Sequence, residues 1–220
     1  MITKQVTLFG GTGLIGGFLL DLLLADKTIS KVRIVTRKPL VKQHDKMEVF
    51  EIDFSKPEEI ERSIGDSKVV FSCIGTTQAQ VRGDRKAYRK IDYDITHNIA
   101  LGCKTKRVDH FLFVSSTGAN SGSSNFYMGL KGEIDDAVLN LKLNATTIFR
   151  PSLLLGKRTK FRPGEWLAQI IMPLFSFLMP TKLKAIRGER VAKAMFDQSK
   201  LKNIRNRVIE NKALLLWDEK

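Results

Sequence analysis

The sequence predicts an α/β fold of the doubly wound kind: a mostly parallel sheet with helices on both faces and a small C-terminal extension. Two observations predict it. Short β-rich apolar runs alternate with helix-length amphipathic segments from the first residues onward, and a cluster of glycines stands between the first run and the first helix. Apolar strands joined by crossovers of helical length specify a parallel sheet covered on both faces.

The elements follow in order. Gln5–Phe9 is the first strand, and Leu14–Ala25 places Leu14, Ile15, Phe18, Leu19, Leu22 and Leu23 on one helical face. Further strands are expected at Val32–Thr36, Met47–Ile52, Val69–Ile74, Phe111–Ser115 and Ala145–Phe149, with helices at Pro57–Ser63, Lys86–Lys104 and Tyr127–Leu141. No linker or internal repeat divides the chain, so residues 1–220 read as one domain. Hydrophobic residues at 43% and charged residues at 27% are ordinary globular values and argue against disorder. Cys73 and Cys103 are too few and too far apart for a disulfide framework or a zinc site, and they read as reduced thiols. His44, His97 and His110 show no ligand spacing, so no metal is expected. No signal-like segment precedes the first strand, which gives the expectation of a cytoplasmic protein.

The glycine cluster carries the first chemistry. In Leu8-Phe9-Gly10-Gly11-Thr12-Gly13-Leu14-Ile15-Gly16-Gly17, one glycine allows a tight reversal after the strand. A second allows close approach of a pyrophosphate, and a third lets helix and strand touch. The helix N-terminus then offers unpaired N–H groups to phosphate. The strand–turn–helix context makes this a Rossmann-type dinucleotide site at the loop Gly10 to Gly16, with Gly10, Gly11, Gly13 and Gly16 in the cradle. An NAD site commonly has an acid at the end of the second strand to hold the ribose hydroxyls. Here Lys31 to Gln43 holds none, and the strand ends Thr36-Arg37-Lys38. Arg37 and Lys38 suit a 2′-phosphate, so NADP(H) is expected over NAD(H). Asp53, after the third strand, is a candidate for the adenine side.

Tyr127 and Lys131 stand four apart, on one face of a helix. A neighbouring ammonium brings a phenol toward a useful pKa, so Tyr127 can give or take a proton. The strand before this helix ends in Ser115-Ser116, at the carboxyl end where ligands of such sheets bind, and either serine could hold a substrate carbonyl.

Together these features resemble the short-chain dehydrogenase/reductase superfamily, its atypical branch above all. The resemblance rests on the Gly10–Gly16 loop, Cys73-Ile74-Gly75-Thr76-Thr77, the Ser–Tyr–Lys set and Phe149-Arg150-Pro151. The run Arg162-Pro163-Gly164-Glu165-Trp166 is similar to the Tat-interacting-protein-like members. The resemblance implies a catalytic set of Ser116, Tyr127 and Lys131, with Lys131 also on the nicotinamide ribose. It implies cofactor contacts from Thr12, Leu14, Ile15, Arg37, Lys38, Ile74, Gly75, Thr76, Tyr127 and Pro151, with Leu154 and Arg162 near the nicotinamide end. The expected function is an NADP(H)-dependent oxidoreductase of a small carbonyl or alcohol. The rival is a non-catalytic NADP(H)-binding redox sensor or protein-interaction regulator.

Two C-terminal features remain. Glu165–Met179 is apolar but too short to span a bilayer, and Pro173 interrupts it; it reads as a broken helix over the substrate side of the sheet, with membrane contact the lesser reading. Residues 152–207 hold thirteen Lys or Arg against three acids, ten of the chain's fourteen net positive charges. Lacking interleaved aromatics, they read as a solvated basic surface that binds nucleic acid only weakly and without sequence preference.

Overall fold

The computed structural model describes residues 4–77, 79–156 and 183–217. In chain order these form β1 (Lys4–Phe9), α1 (Leu14–Ala25), β2 (Ile29–Thr36), β3 (Met47–Glu51), α2 (Pro57–Ile64) and β4 (Val69–Ser72). Next come α3 (Arg85–Arg89), a π-helical turn (Lys90–Asp94), α4 (Ile95–Thr105), β5 (His110–Val114), α5 (Phe126–Asn140) and β6 (Thr146–Arg150). The described C-terminal part adds the short pair β7 (Leu154–Leu155) and β8 (Ile186–Arg187), then α6 (Gly188–Ser199), β9 (Arg207–Glu210) and α7 (Asn211–Leu215).

Seven strands form one sheet in the order β3-β2-β1-β4-β5-β6-β9, every neighbouring pair parallel. The order reverses between β1 and β4, the switch point past which a doubly wound sheet binds its ligand. β4 is buried at all four positions and β5 at four of five, because helices cover both faces. One face packs Leu19 and Leu23 of α1 against Val191 and Met195 of α6; the other joins Ile60, Ile64, Ile99 and Val138 from α2, α4 and α5. Each such leucine or isoleucine contributes about 2 kcal/mol on leaving water. Some polar groups inside pair with each other: Thr7 Oγ1 donates to Ser67 Oγ at 2.8 Å, and His110 Nε2 lies 2.8 Å from Thr147 Oγ1. Burial, reinforced by Arg207 and Lys4, pulls the His110 imidazole down to about 4, so it is a neutral structural group. The two thiols are free, and burial pushes Cys73 up to about 12.

Two expectations change. The helix read over Lys86–Lys104 is interrupted by the π-helical turn, whose extra residue turns Asp92 inward where a regular helix would carry it past. The C-terminal part does more than cover the substrate side. Among the described residues, β9 extends the sheet beyond β6, and α6 packs against α1 in one hydrophobic cluster. The broken helix read over Glu165–Met179, with its membrane reading, lies outside the described residues. No described helix is long and apolar enough to cross a membrane. Several described cations of the basic third are committed locally: Lys193 pairs with Asp197, Lys200 with Asp26, and Arg190 donates to the Leu215 carbonyl.

Candidate functional site

The glycine loop connects β1 to α1 at the switch point. Gly10 has φ +81°, and a Cβ there would lie 2.8 Å from the Cys73 carbonyl group, so only glycine fits between the ends of β1 and β4. A Cβ on Gly16 would fall onto the Gly10 carbonyl oxygen, so this glycine lets α1 start directly behind the loop. The turn is closed by Gly13 N–H donating to Gly10 O at 3.0 Å. Gly13 caps α1 without any side-chain acceptor, which leaves the first N–H groups of the helix to whatever sits before them. Thr12 and Gly13 are exposed there. Leu14 has a different use, because a Cβ on Gly156 or Gly188 would meet its side chain; it wedges the loop against the C-terminal segment.

At the end of β2, Thr36 Oγ1 donates to Lys38 O at 2.9 Å and holds a tight turn that leaves Arg37 and Lys38 exposed. Beside it opens a cavity of about 890 Å³ lined by Arg37, Asp53, Phe54, Lys90, Ile91 and Asn98, with Glu51 and Asp94 also on its wall. Phe54 is fixed as a wall by edge-to-face contact with Phe9, ring centroids 6.2 Å apart. Asp53 accepts from Ser55 N–H at 2.9 Å, and that bond holds its carboxyl below the usual range. The structure thus brings Arg37 and Asp53 to one cavity. Lys90 and Asn98, from the π-helical turn and α4, complete it; no local sequence signal marks them.

Tyr127 and Lys131, the residues expected to handle a proton, lie on the other side of the switch point. Asn125 caps α5 by accepting from the N–H groups of Tyr127 and Met128, at 3.0 and 3.1 Å. Tyr127 is half-buried, its ring edge-on to Tyr88 with centroids 6.1 Å apart. Lys131, one turn on, is buried, and its Nζ lies 2.6 Å from Asp92 Oδ1. Burial opposes the ammonium, but Asp92, with Tyr127 and Asp135 adding to it, outweighs that and holds Lys131 above the ordinary lysine range. It is therefore a charged group beside the phenol. Asp92 was invisible to sequence reasoning, since it stands 39 positions before Lys131 and reads as one acid among several on a helix.

The two serines separate. Ser115 is buried near the Asp135 carboxylate without a hydrogen bond to it, and Arg150 grips that carboxylate at 2.9 Å. Ser116 is only half-buried and has a single long contact, 3.4 Å to Thr117 O. Ile74, Gly75 and Thr76 form the strand end between the glycine loop and Tyr88, and Pro151 is buried below Thr117, whose N–H donates to its carbonyl at 2.9 Å. Leu154 pairs with Ile186 in the small sheet and packs on the core. Arg162 lies outside the described residues. No group of three or more metal-ligating side chains gathers among the described residues.

The features a dinucleotide needs are thus present: a backbone cradle that no side chain could share, open helix N–H groups, and a cavity with cations at its mouth. Similarity agrees. A family model described as NAD(P)H-binding matches residues 10–164. Protein FMP52, mitochondrial, of Debaryomyces hansenii is 36% identical over 193 residues, 84% of this chain and 83% of its own length. Protein HTATIP2 of Rattus norvegicus is 33% identical over 172 residues, 77% of this chain and 70% of its own. A UDP-N-acetylglucosamine 4-epimerase from Methanobrevibacter ruminantium shares the fold, with a TM-score of 0.72 at 17% identity over 96% of this chain and 77% of that one. The cytoplasmic expectation is corrected by these relatives, since FMP52 of Debaryomyces hansenii and of other yeasts is named mitochondrial. With its glycine loop, its parallel sheet and these relatives, the chain belongs to the NAD(P)H-binding Rossmann family.

Proposed function

We propose that this chain is an NADP(H)-dependent oxidoreductase of a small carbonyl or alcohol, acting through Ser116, Tyr127 and Lys131. The observation that carries the reading is the buried, charged Lys131 one helical turn after the half-buried Tyr127. A cation kept in low dielectric beside a phenol stabilises the phenolate, which is what a tyrosine acid–base needs near neutral pH.

Bound NADP(H) would supply or accept the hydride. The residues do the rest. Arg37 and Lys38 would hold the 2′-phosphate, Arg37 through its planar fork. The open N–H groups at the start of α1 would face the pyrophosphate. Ser116, the more exposed of the two serines, would donate a hydrogen bond from its hydroxyl to the substrate oxygen and keep its proton. In the reducing direction Tyr127 Oη releases its proton to that oxygen as the carbonyl becomes an alcohol; in the oxidising direction the phenolate takes it back. Lys131 stabilises the phenolate in between.

The test is turnover of the purified protein with NADPH or NADP⁺ over a broad panel of carbonyls and alcohols. The wild type should oxidise NADPH with at least one class. Tyr127→Phe should lose about 10²–10⁴-fold in kcat with little change in NADPH affinity. No turnover with any compound, together with full NADPH binding, would overturn the enzyme in favour of the non-catalytic redox sensor. The naming of its FMP52 relatives supports a mitochondrial location for this protein, and fractionation of cells that express the full chain checks that.

A further inference from the structure

Two residues of one helical segment reach the backbone of the same residue, Thr76. Tyr88 Oη donates to the carbonyl of Thr76 at 3.0 Å, and Asp92 Oδ2 accepts from the N–H of Thr76 at 2.8 Å. Each also touches one member of the proposed proton-handling pair. The Tyr88 ring stands edge-on to Tyr127, and Asp92 Oδ1 pairs with Lys131 Nζ at 2.6 Å. Thr76 follows Ile74 and Gly75 on the loop that leaves β4, and a Cβ on Gly75 would sit 3.7 Å from Asp92 Oδ1. Tyr88 and Asp92 are four apart, as are Tyr127 and Lys131, so two i,i+4 pairs meet, and the first of them also holds the backbone of Thr76.

We propose that Tyr88 and Asp92 are positioning residues that lock Thr76, on the cofactor side, to Tyr127 and Lys131, so that loop and proton-handling pair are held as one unit. The inference rests on the oxidoreductase reading for its kinetic consequence, but not for its structural one.

The physical case begins with cost. Asp92 is 2% exposed and Lys131 5%, and taking two ions out of water is seldom repaid in stability by their attraction. An apolar pair of similar size would serve the fold as well. The chain also departs from regular helix at this point, and the π-helical turn Lys90–Asp94 is what brings Asp92 inward. A π-helical turn and a buried ion pair together mark a site where geometry matters more than stability. The charged groups that act on Lys131 are Asp92 from the π-helical turn and Tyr127 and Asp135 from α5. Asp92 is the one in contact, so its charge keeps the lysine protonated and fixes where the ammonium points. Burial, then Asp92 and Tyr127, push the Tyr88 phenol up, so it remains a protonated donor to Thr76.

Asp92→Asn tests the arrangement, because it keeps an acceptor for Thr76 N–H and removes only the charge. In the ligand-free protein, lysine ¹³Cε NMR should show Lys131 titrating at lower pH than in the wild type. In the active protein kcat should fall by roughly 10²-fold, with the loss growing as pH rises and Lys131 deprotonates. A folded Asp92→Asn protein whose Lys131 titrates as in the wild type, or whose kcat loss is the same at every pH, overturns the proposal. If Asp92→Asn does not fold, Asp92→Glu decides. It keeps the charge but displaces it, so Lys131 should still titrate high while kcat falls; an unchanged kcat overturns the proposal. Tyr88→Phe keeps the ring on Tyr127 and removes the bond to Thr76. It should weaken NADPH binding by about three- to tenfold, the worth of one hydrogen bond, and leave the Lys131 titration in place. Unchanged NADPH affinity would remove Tyr88 from the unit. If the wild type turns over nothing, the oxidoreductase reading fails alone, and the NMR titration still decides the positioning role.

Discussion

Arg150 grips Asp135 through two nitrogens, Nε and Nη2, each 2.9 Å from the same carboxylate oxygen, Oδ2. Its third nitrogen, Nη1, reaches Glu210 on β9 at 3.1 Å, so one guanidinium ties α5, β6 and the edge strand together. The grip does not compensate for burial. Asp135 is fully buried, and desolvation raises its carboxyl from 3.8 to about 6 although Ser115 and Arg150 pull the other way.

That shift makes stability depend on pH. Between pH 3.8 and about 6 the folded state holds a proton that the unfolded state has released. The contribution of Asp135 is therefore fully present below the unfolded value and is lost as pH rises through about 6. Its size is on the order of 3 kcal/mol. Urea unfolding across pH 3.5–7 should show the wild type losing stability relative to Asp135→Asn over that window. A constant difference between the two proteins would refute the assignment.

Arg37 should set cofactor choice. NADPH should bind more tightly than NADH by about tenfold, or about 1.4 kcal/mol, as a charge-assisted phosphate contact can supply. Arg37→Asp should erase or reverse the difference, helped by Glu51, Asp53 and Asp94 on the same cavity wall. Calorimetry with both cofactors measures it, and equal affinities in the wild type would rule out a 2′-phosphate site at Arg37.

The two serines should part company. Ser116→Ala should lower kcat by roughly 10²-fold while leaving the melting temperature near the wild type, since its hydroxyl has no structural partner closer than 3.4 Å. Ser115→Ala removes a buried hydroxyl that faces no substrate site and should leave kcat within about twofold of the wild type. A kcat loss confined to Ser115→Ala would exchange their roles.

Gly10→Ala should damage fold and binding together. The new methyl would be forced against the Cys73 carbonyl with φ at +81°, a strain of about 1–3 kcal/mol before any shift of the loop. Thermal melts should show the loss, and NADPH titration should show binding weakened further than the melt alone explains. Normal NADPH binding in a destabilised Gly10→Ala protein would separate the loop from the cofactor.

Much of this protein was legible in its sequence because the signals are local. The glycine loop, the apolar face of α1, and the strand ends at Thr36 and Ser115 each depend on residues within a dozen positions of one another. So does the four-residue step from Tyr127 to Lys131, and backbone periodicity turns such spacing directly into shared faces. What the sequence could not show depends on residues far apart. Arg207–Glu210 (RVIE) buries only Ile209, so this edge strand lacks the apolar run that marks the inner strands; its place beside β6 comes from pairing alone. Asp92 reads as a surface helical acid until the π-helical turn points it at Lys131, 39 residues away. Ser115 and Ser116 look alike until the fold buries the first near Asp135 and leaves the second half-buried. Local chemistry fixed which groups are available, and the packing of separate elements decided which of them face each other, because burial and charge pairing act through space and not along the chain.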